Sequence, residues 1–287
     1  MKAAARGGNV LMNIGPMGNG VIDPKDLEIL NGIGQWMDVN QESIRGTKRT
    51  PLPVQAWGES TLKDNRLYLH VFDWPSDGIL QVGGIQSLVQ SARLLSDPKK
   101  SSLIVHRLDA NTINLHVPQQ CPDTVNTVVV VELKHVEEAD PIWLLAANRH
   151  NNVLRSFDGI LNGNGLRYGG GKSYENCVIN WKSKDQTISW PVYLIETAEF
   201  EVEVEYFAKH GMHAGQFRVE IGEQIIEAIV DASNTFSEKE PSSWTNDMLG
   251  KVKLEPGHYT LKIVPTEIPD GKDLMRLRHI KLSTAKQ

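Results

Sequence analysis

The 287 residues predict a mainly β protein: one strand–loop–helix unit of the kind that repeats in α/β sheets and (β/α)8 barrels, then two antiparallel β-sandwich domains, jelly-roll-like in their spacing. Three observations carry this. An apolar run at residues 10–14 is closed by Gly15-Pro16 and followed by a helix signal. From residue 54 to 137, and again from 151 onward, apolar and polar residues alternate at strand period, with Pro, Gly and Asp between the runs about every ten residues. The composition, 40% apolar and 23% charged, is that of an ordinary soluble globular chain.

Gly8-Asn9-Val10-Leu11-Met12-Asn13-Ile14-Gly15-Pro16 reads as a short strand buried on both faces, as in parallel sheets. Met17-Gly18-Asn19-Gly20 is a loop whose glycines permit a tight turn. Asp23 then caps a helix with Pro24 at its first position. Leu27, Leu30, Ile33 and Met37 share one helical face, and Asp23, Asp26 and Glu28 are accounted for by the helix start. A parallel strand needs neighbours, and an eight-fold barrel takes about 250 residues. Nine residues precede Val10, so most of such a barrel is expected to lie outside this chain.

Residues 46–53, polar with two prolines, form a linker or an ordered crossover. In the segment 54–137, Leu67, Leu69 and Val71 alternate with Tyr68, His70 and Phe72. Residues 79–82, the alternation of Ile113, Leu115 and Val117, and the β-branched run 125–133 supply further strands. Residues 138–150 join the two β regions. In the segment 151–287, Ile188, Trp190, Val192 and Leu194 share one parity, and Phe200, Val202, Val204 and Tyr206 alternate with Glu201, Glu203 and Glu205. Phe217, Val219 and Ile221 follow. Val252 and Leu254 lead through Pro256-Gly257 into Tyr259, Leu261 and Ile263 as a hairpin, and residues 277–282 close the pattern.

Gly7-Gly8-Asn9-Val10-Leu11-Met12-Asn13-Ile14-Gly15-Pro16, then Gly20-Val21-Ile22, Ile33-Gly34-Gln35-Trp36-Met37 and Asn40-Gln41-Glu42-Ser43-Ile44, together resemble the last strand–helix unit of the retaining α-L-fucosidases, glycoside hydrolase family 29. In that family the unit closes the catalytic (β/α)8 barrel. Trp57-Gly58-Glu59-Ser60-Thr61 through Leu67-Tyr68-Leu69-His70-Val71-Phe72-Asp73-Trp74-Pro75 is similar to the start of the family's C-terminal β-sandwich, so the resemblance runs in order over residues 6–135. Arg45 stands where family members usually carry Tyr. The resemblance implies a C-terminal portion of such an enzyme: residues 1–46 as the last βα unit, 54–137 as the family sandwich, and 151–287 as a sandwich similar to the carbohydrate-binding modules of many glycoside hydrolases. It implies that the full-length enzyme removes terminal L-fucose from glycans, a retaining reaction needing two carboxyls about 5 Å apart. In the family the nucleophile, the acid/base and the fucose-gripping histidines all precede the matched unit, so no catalytic residue is carried over to this chain. Two other readings remain open: a stand-alone, non-catalytic glycan-binding protein of two sandwiches, and a chain that docks its first unit onto a separately made barrel.

Candidate ligand contacts are residues able to hydrogen-bond a sugar or stack on its C–H face. Asn13 ends the expected strand, where barrel enzymes keep their sites. Tyr174, Trp181 and Trp244 lie in the polar segments 172–176, 180–185 and 242–247 and are candidates for a carbohydrate face, whereas Trp190 has core parity. His210 and His213 have metal-capable spacing but no third ligand close in sequence, so a solvated loop is expected there. The row Glu201, Glu203, Glu205 is the pattern of a wet antiparallel face rather than of a calcium site. No metal or cofactor is expected.

The net charge of −5 gives no hint of nucleic acid or an anionic membrane as partner, and no apolar run approaches the ~18 residues of a membrane span. Cys121 and Cys177 read as two free, mostly buried thiols. Residues 1–6 lack the apolar core of a signal peptide, while the resembled enzymes are commonly periplasmic, secreted or lysosomal; the compartment is left open. The expected partners are fucosylated glycans or another carbohydrate and, through the N-terminal unit, the rest of a barrel or another copy of the chain.

Overall fold

The structure is a computed structural model that describes residues 1–147, 151–172, 174–240 and 242–284. Part of the expected connection 138–150 and the expected end at 287 lie outside the described residues. The chain divides into two compact units, Met1–Pro141 and Ile142–Gln287. Both are built mainly of antiparallel sheets, with one small helical region at the start of the first.

The first unit holds α1 (Lys2–Ala5), α2 (Pro24–Asn40), a 3-10 turn (Gln41–Ser43) and the strands β1 (Gly58–Lys63), β2 (Arg66–Val71), β3 (Ile79–Gly83), β4 (Val89–Leu94), β5 (Ile104–Arg107), β6 (Thr112–His116) and β7 (Thr127–Leu133). The strands form two antiparallel sheets, ordered β1-β2-β7-β4 and β3-β6-β5. One apolar core lies between them: Leu67, Leu69 and Val71 from β2 and Val129, Val131 and Leu133 from β7 meet Leu80, Val82, Ile113 and Leu115 of the other sheet. Trp57 is buried with them and donates its indole N–H to Gln81 O at 2.8 Å. The expected strand from 125 begins at Thr127, because Asp123 Oδ1 accepts the N–H groups of Val125 and Asn126 and turns the chain there.

Residues 10–14 do not form the expected strand. They run irregular and exposed, Leu11 at 92%. A strand of the parallel type exists only when neighbours take its N–H and C=O groups, and among the described residues no strand pairs with this stretch. The loop after it is ordered as expected: Met17 N–H donates to Val21 O and Gly20 N–H to Met17 O, with Gly20 at a φ of +81° that a side chain would strain. The helix start also holds, since Asp23 Oδ1 accepts Lys25 N–H at 2.8 Å ahead of Pro24 at the first helical position. Leu27, Ile29 and Ile33 of α2 are exposed. Its C-terminal end is seated: Trp36 donates its indole N–H to Asn126 O at 2.8 Å and packs near Tyr68, Val128 and Val130 on the outer side of β2 and β7.

The second unit has β8 (Trp143–Leu144), β9 (Asn152–Arg155), β10 (Ile160–Asn162), β11 (Arg167–Tyr168), β12 (Val178–Ile179), β13 (Thr187–Leu194), β14 (Ala198–Phe207), β15 (Gln216–Ile221), β16 (Gln224–Ile229), β17 (Thr245–Leu254), β18 (Gly257–Glu267) and β19 (Arg276–Ser283). One sheet runs β10-β13-β18-β15-β16, with β8 added in parallel to β13; the other runs β11-β12-β19-β14-β17, with β9 added to β19. Trp190 of the first sheet is fully buried and donates its indole N–H to Arg155 O of the second, so the two inner faces meet. Phe200, Val202 and Val204 of β14 point into this core, and the intervening glutamates point out.

Candidate functional site

The glutamate row on β14 is neutralised across strands. Glu201 pairs with Lys251 at 3.5 Å, Glu203 with Lys281 at 3.7 Å, and Glu205 with Arg278 at 3.2 Å and His279 at 3.1 Å. Burial pushes the Glu205 carboxyl upward, but hydrogen bonds and charge from His279 and Arg278 outweigh it and hold it below the usual carboxylate range. Among the described residues no group of three His, Cys, Asp or Glu is placed to hold a metal.

At the Phe207 end of β14 the loops of the second unit converge. The bridges Lys209–Asn234 and His213–Asp273 tie three of them together. Trp244, just before β17, is half-buried. Its ring meets Phe207 edge-on with centroids 6.3 Å apart, and Arg278 lies over it at 4.9 Å. Phe207 is flanked by Arg276 at 5.8 Å and by the edge of His213 at 5.7 Å. Arg276 is paired with Glu238 at 3.5 Å. Tyr174, also half-buried, carries the ammonium of Lys239 at 5.5 Å and that of Lys172 at 6.0 Å from its ring centre. Aromatic rings fixed beside charged hydrogen-bonding groups can stack on the C–H face of a sugar and bind its hydroxyls.

Other residues fall elsewhere. Trp181 is fully buried; it donates its indole N–H to Gln186 O at 2.7 Å, and its own carbonyl accepts Leu274 N–H. It is not displayed on a ligand face. The polar residues after it form a turn in which Gln186 Oε1 accepts the N–H groups of Lys182 and Ser183, so the local polarity belongs to the turn and not to the ring. Asn13 is exposed in the irregular N-terminal stretch, remote in sequence from the aromatic cluster. His210 is exposed as expected, but His213 is buried: its Nδ1 accepts Lys209 N–H at 3.0 Å, and burial, aided by the Arg276 charge, pushes its pKa down. Sequence reasoning passed over Phe236, 58% exposed in the loop before Trp244, and the stacked pair Phe157–Tyr168 at 5.2 Å. The signal available for both was an aromatic residue beside Ser- or Gly-rich sequence.

Comparison with known proteins places the N-terminal region. The family model for α-L-fucosidase matches residues 1–42. Tissue α-L-fucosidase of Rattus norvegicus is 38% identical over 81 residues, 26% of this chain and 17% of the relative. The α-L-fucosidase of Branchiostoma floridae is 39% identical over 84 residues, 27% of this chain and 18% of the relative. Plasma α-L-fucosidase of Pongo abelii is 31% identical over 120 residues, 39% and 25% of the two chains. The crystal structure of α-L-fucosidase from Vibrio sp. strain EJY3 superposes on 99% of this chain with a TM-score of 0.66 and 22% identity, a likeness of fold. The chain spans 50% of that structure's length, and the matches to the first two curated relatives span less than a fifth of theirs.

Proposed function

We propose that this chain is a C-terminal portion of an α-L-fucosidase-like glycoside hydrolase, that the whole protein removes terminal L-fucose from glycans, and that the part described here serves that reaction without supplying its catalytic carboxyls; the family match over residues 1–42 and the likeness to curated α-L-fucosidases support this reading. One observation carries the second half. The stretch that matches the family holds five carboxylates: Asp23 is engaged as a helix cap, Asp26 and Glu28 follow it in the first turns of α2, where acidic residues suit the helix dipole, Asp38 lies near the other end of that helix, and Glu42 is paired with Arg93 at 3.7 Å. A retaining glycosidase needs two facing carboxyls about 5 Å apart. Pure chain incubated with an aryl α-L-fucoside is expected to give no turnover. Turnover that disappears when a carboxylate of this chain is changed would overturn the proposal.

The N-terminal unit fits this role as a surface that the rest of a catalytic barrel covers. Of the 23 exposed large apolar side chains among the described residues, 11 fall within residues 1–42, the stretch matched to the family. Exposed apolar clusters of this kind mark association sites. The second unit is read as a jelly-roll-like carbohydrate-binding sandwich that presents Tyr174 and Trp244. Retention on an immobilised fucosylated oligosaccharide, lost on changing these residues, is the test.

A further inference from the structure

We infer that His70 is an acid-released latch: as a neutral imidazole it seats the end of α2 and the 3-10 turn on the outer face of the β1-β2-β7-β4 sheet, and its protonation lets that seat open. His70 is fully buried on β2. Its Nε2 lies 3.3 Å from Ser43 O and 3.4 Å from Thr61 Oγ1, and its Nδ1 lies 3.3 Å from Asn126 Nδ2. Ser43 O is an acceptor and the Asn126 amide nitrogen a donor, so the ring fits as the neutral tautomer with Nε2–H donating and Nδ1 accepting. The same two partners hold the helix. Ser43 O also accepts the Thr61 hydroxyl at 2.6 Å, and Asn126 O accepts the indole N–H of Trp36, whose ring centre lies 6.3 Å from that of His70.

A second proton on Nδ1 would face the Asn126 N–H groups, donor against donor, in a site closed to water. The charged groups on the surrounding elements do little to offset this. Glu59, opposite His70 on β1, is paired with Arg6 at 3.6 Å. Glu42 of the 3-10 turn is paired with Arg93 at 3.7 Å. Asp123, before β7, accepts the backbone N–H groups of Val125 and Asn126. Lys63 on β1, Lys25, Asp26, Glu28 and Asp38 on α2, and the pair Arg66–Glu132 at 3.7 Å on β2 and β7 are the other charges on these elements, and the α-amino group of Met1 disfavours the imidazolium directly. Burial is the largest cause holding the imidazole down, to a pKa of about 4. The linkage has one sign: the seat is at full strength above the ordinary histidine pKa near 6.5 and is lost as pH falls from there toward 4.

Hydrogen exchange on the full chain tests this. Exchange of residues 36–46, corrected for intrinsic rate and referred to β14 as an internal standard, is expected to report an opening constant that rises about 30-fold from pH 7.5 to pH 5. In His70→Gln, whose amide can still donate to Ser43 O but cannot titrate, the rise should vanish. A flat wild-type profile, or the same rise in the variant, overturns the latch. If the variant does not fold, the wild-type imidazole resonances decide. Titration below pH 5 supports the latch. A midpoint at 6.5 or above, as when the Asn126 amide turns its oxygen to Nδ1, overturns it.

Discussion

The guanidinium of Arg278 lies over the indole of Trp244, 4.9 Å from its centroid, while Glu205 holds the same guanidinium at 3.2 Å. One face of the ring is thereby covered, with a charged donor beside it. Loss of a large stacked aromatic contact is worth roughly 1–3 kcal/mol. Trp244→Ala is therefore expected to weaken retention on an immobilised fucosylated oligosaccharide by that amount, and Tyr174→Ala to do the same. Arg278→Gln should give a smaller loss, because it frees the ring without removing it. Affinity electrophoresis would measure all three; unchanged mobility in every variant means that this end of the second unit does not bind glycans.

Trp181 should behave in the opposite way. It is fully buried and its N–H is satisfied within the core. Trp181→Ala is expected to destabilise the second unit by about 3–5 kcal/mol, the cost of a large-to-small core change, with no glycan-specific effect in the fraction that stays folded. Urea unfolding checks the first part. A cost near zero would place the ring outside the core.

The two thiols should separate chemically. Cys177 is fully buried, and burial pushes its thiol up to about 11. The thiolate is the reactive form, so at pH 8 only ~0.1% of it would be reactive even if reached. Cys121 is half-buried near the surface, its Sγ–H donating to Asp123 O. A maleimide at pH 7.5 should label Cys121 well before Cys177, as read by peptide mass. Equal rates would mean that the second unit opens readily.

Sequence patterns exposed the sheets where one face is wet and one is dry. β14 is legible because Phe200, Val202 and Val204 alternate with charged glutamates, and β13 because Ile188, Trp190 and Val192 keep one parity. β16 escaped notice because two of its three outward residues, Ile225 and Ile229, are apolar while the polar Gln224 shares the inward parity, so the alternation is blurred. His70 shows a different limit. Alternation puts it on the outer face of β2, and only the later docking of Trp36 and Ser43 buries it there. Residues 10–14 show a third: the apolar run suits a strand, but a strand is made by neighbours, and none of the described strands pairs with it. Of the candidate ligand residues, Tyr174 and Trp244 are half-buried, whereas Trp181 is fully buried, because turn polarity mimicked surface polarity there.

The N-terminal stretch gives the last expectation. Residues 8–22 carry few backbone hydrogen bonds beyond the turn at Met17–Gly20 and the bridge from Pro16 to Ile22. Their amides should exchange far faster than those of β14 and β18, whose ladders lie inside the second sandwich. Val10→Ser with Leu11→Ser should leave the unfolding free energy of the first unit, read from urea titration, within about 0.5 kcal/mol of the original, as surface changes do, and should lower binding of an apolar dye, since both residues are exposed. Trp36→Ala should differ sharply. It removes the hydrogen bond to Asn126 O and uncovers Tyr68 and Val128, at a cost of about 3 kcal/mol. For the same reason a deletion that leaves the first sandwich intact must stop short of residue 36, whereas removing 1–46 would strip the cover from His70. Protection that grows with protein concentration would identify a second copy as the cover of the apolar stretch. Protection equal to the sandwich cores in a dilute monomer would mean that residues 8–22 are already packed, and the view of them as a surface awaiting the rest of a barrel would fall.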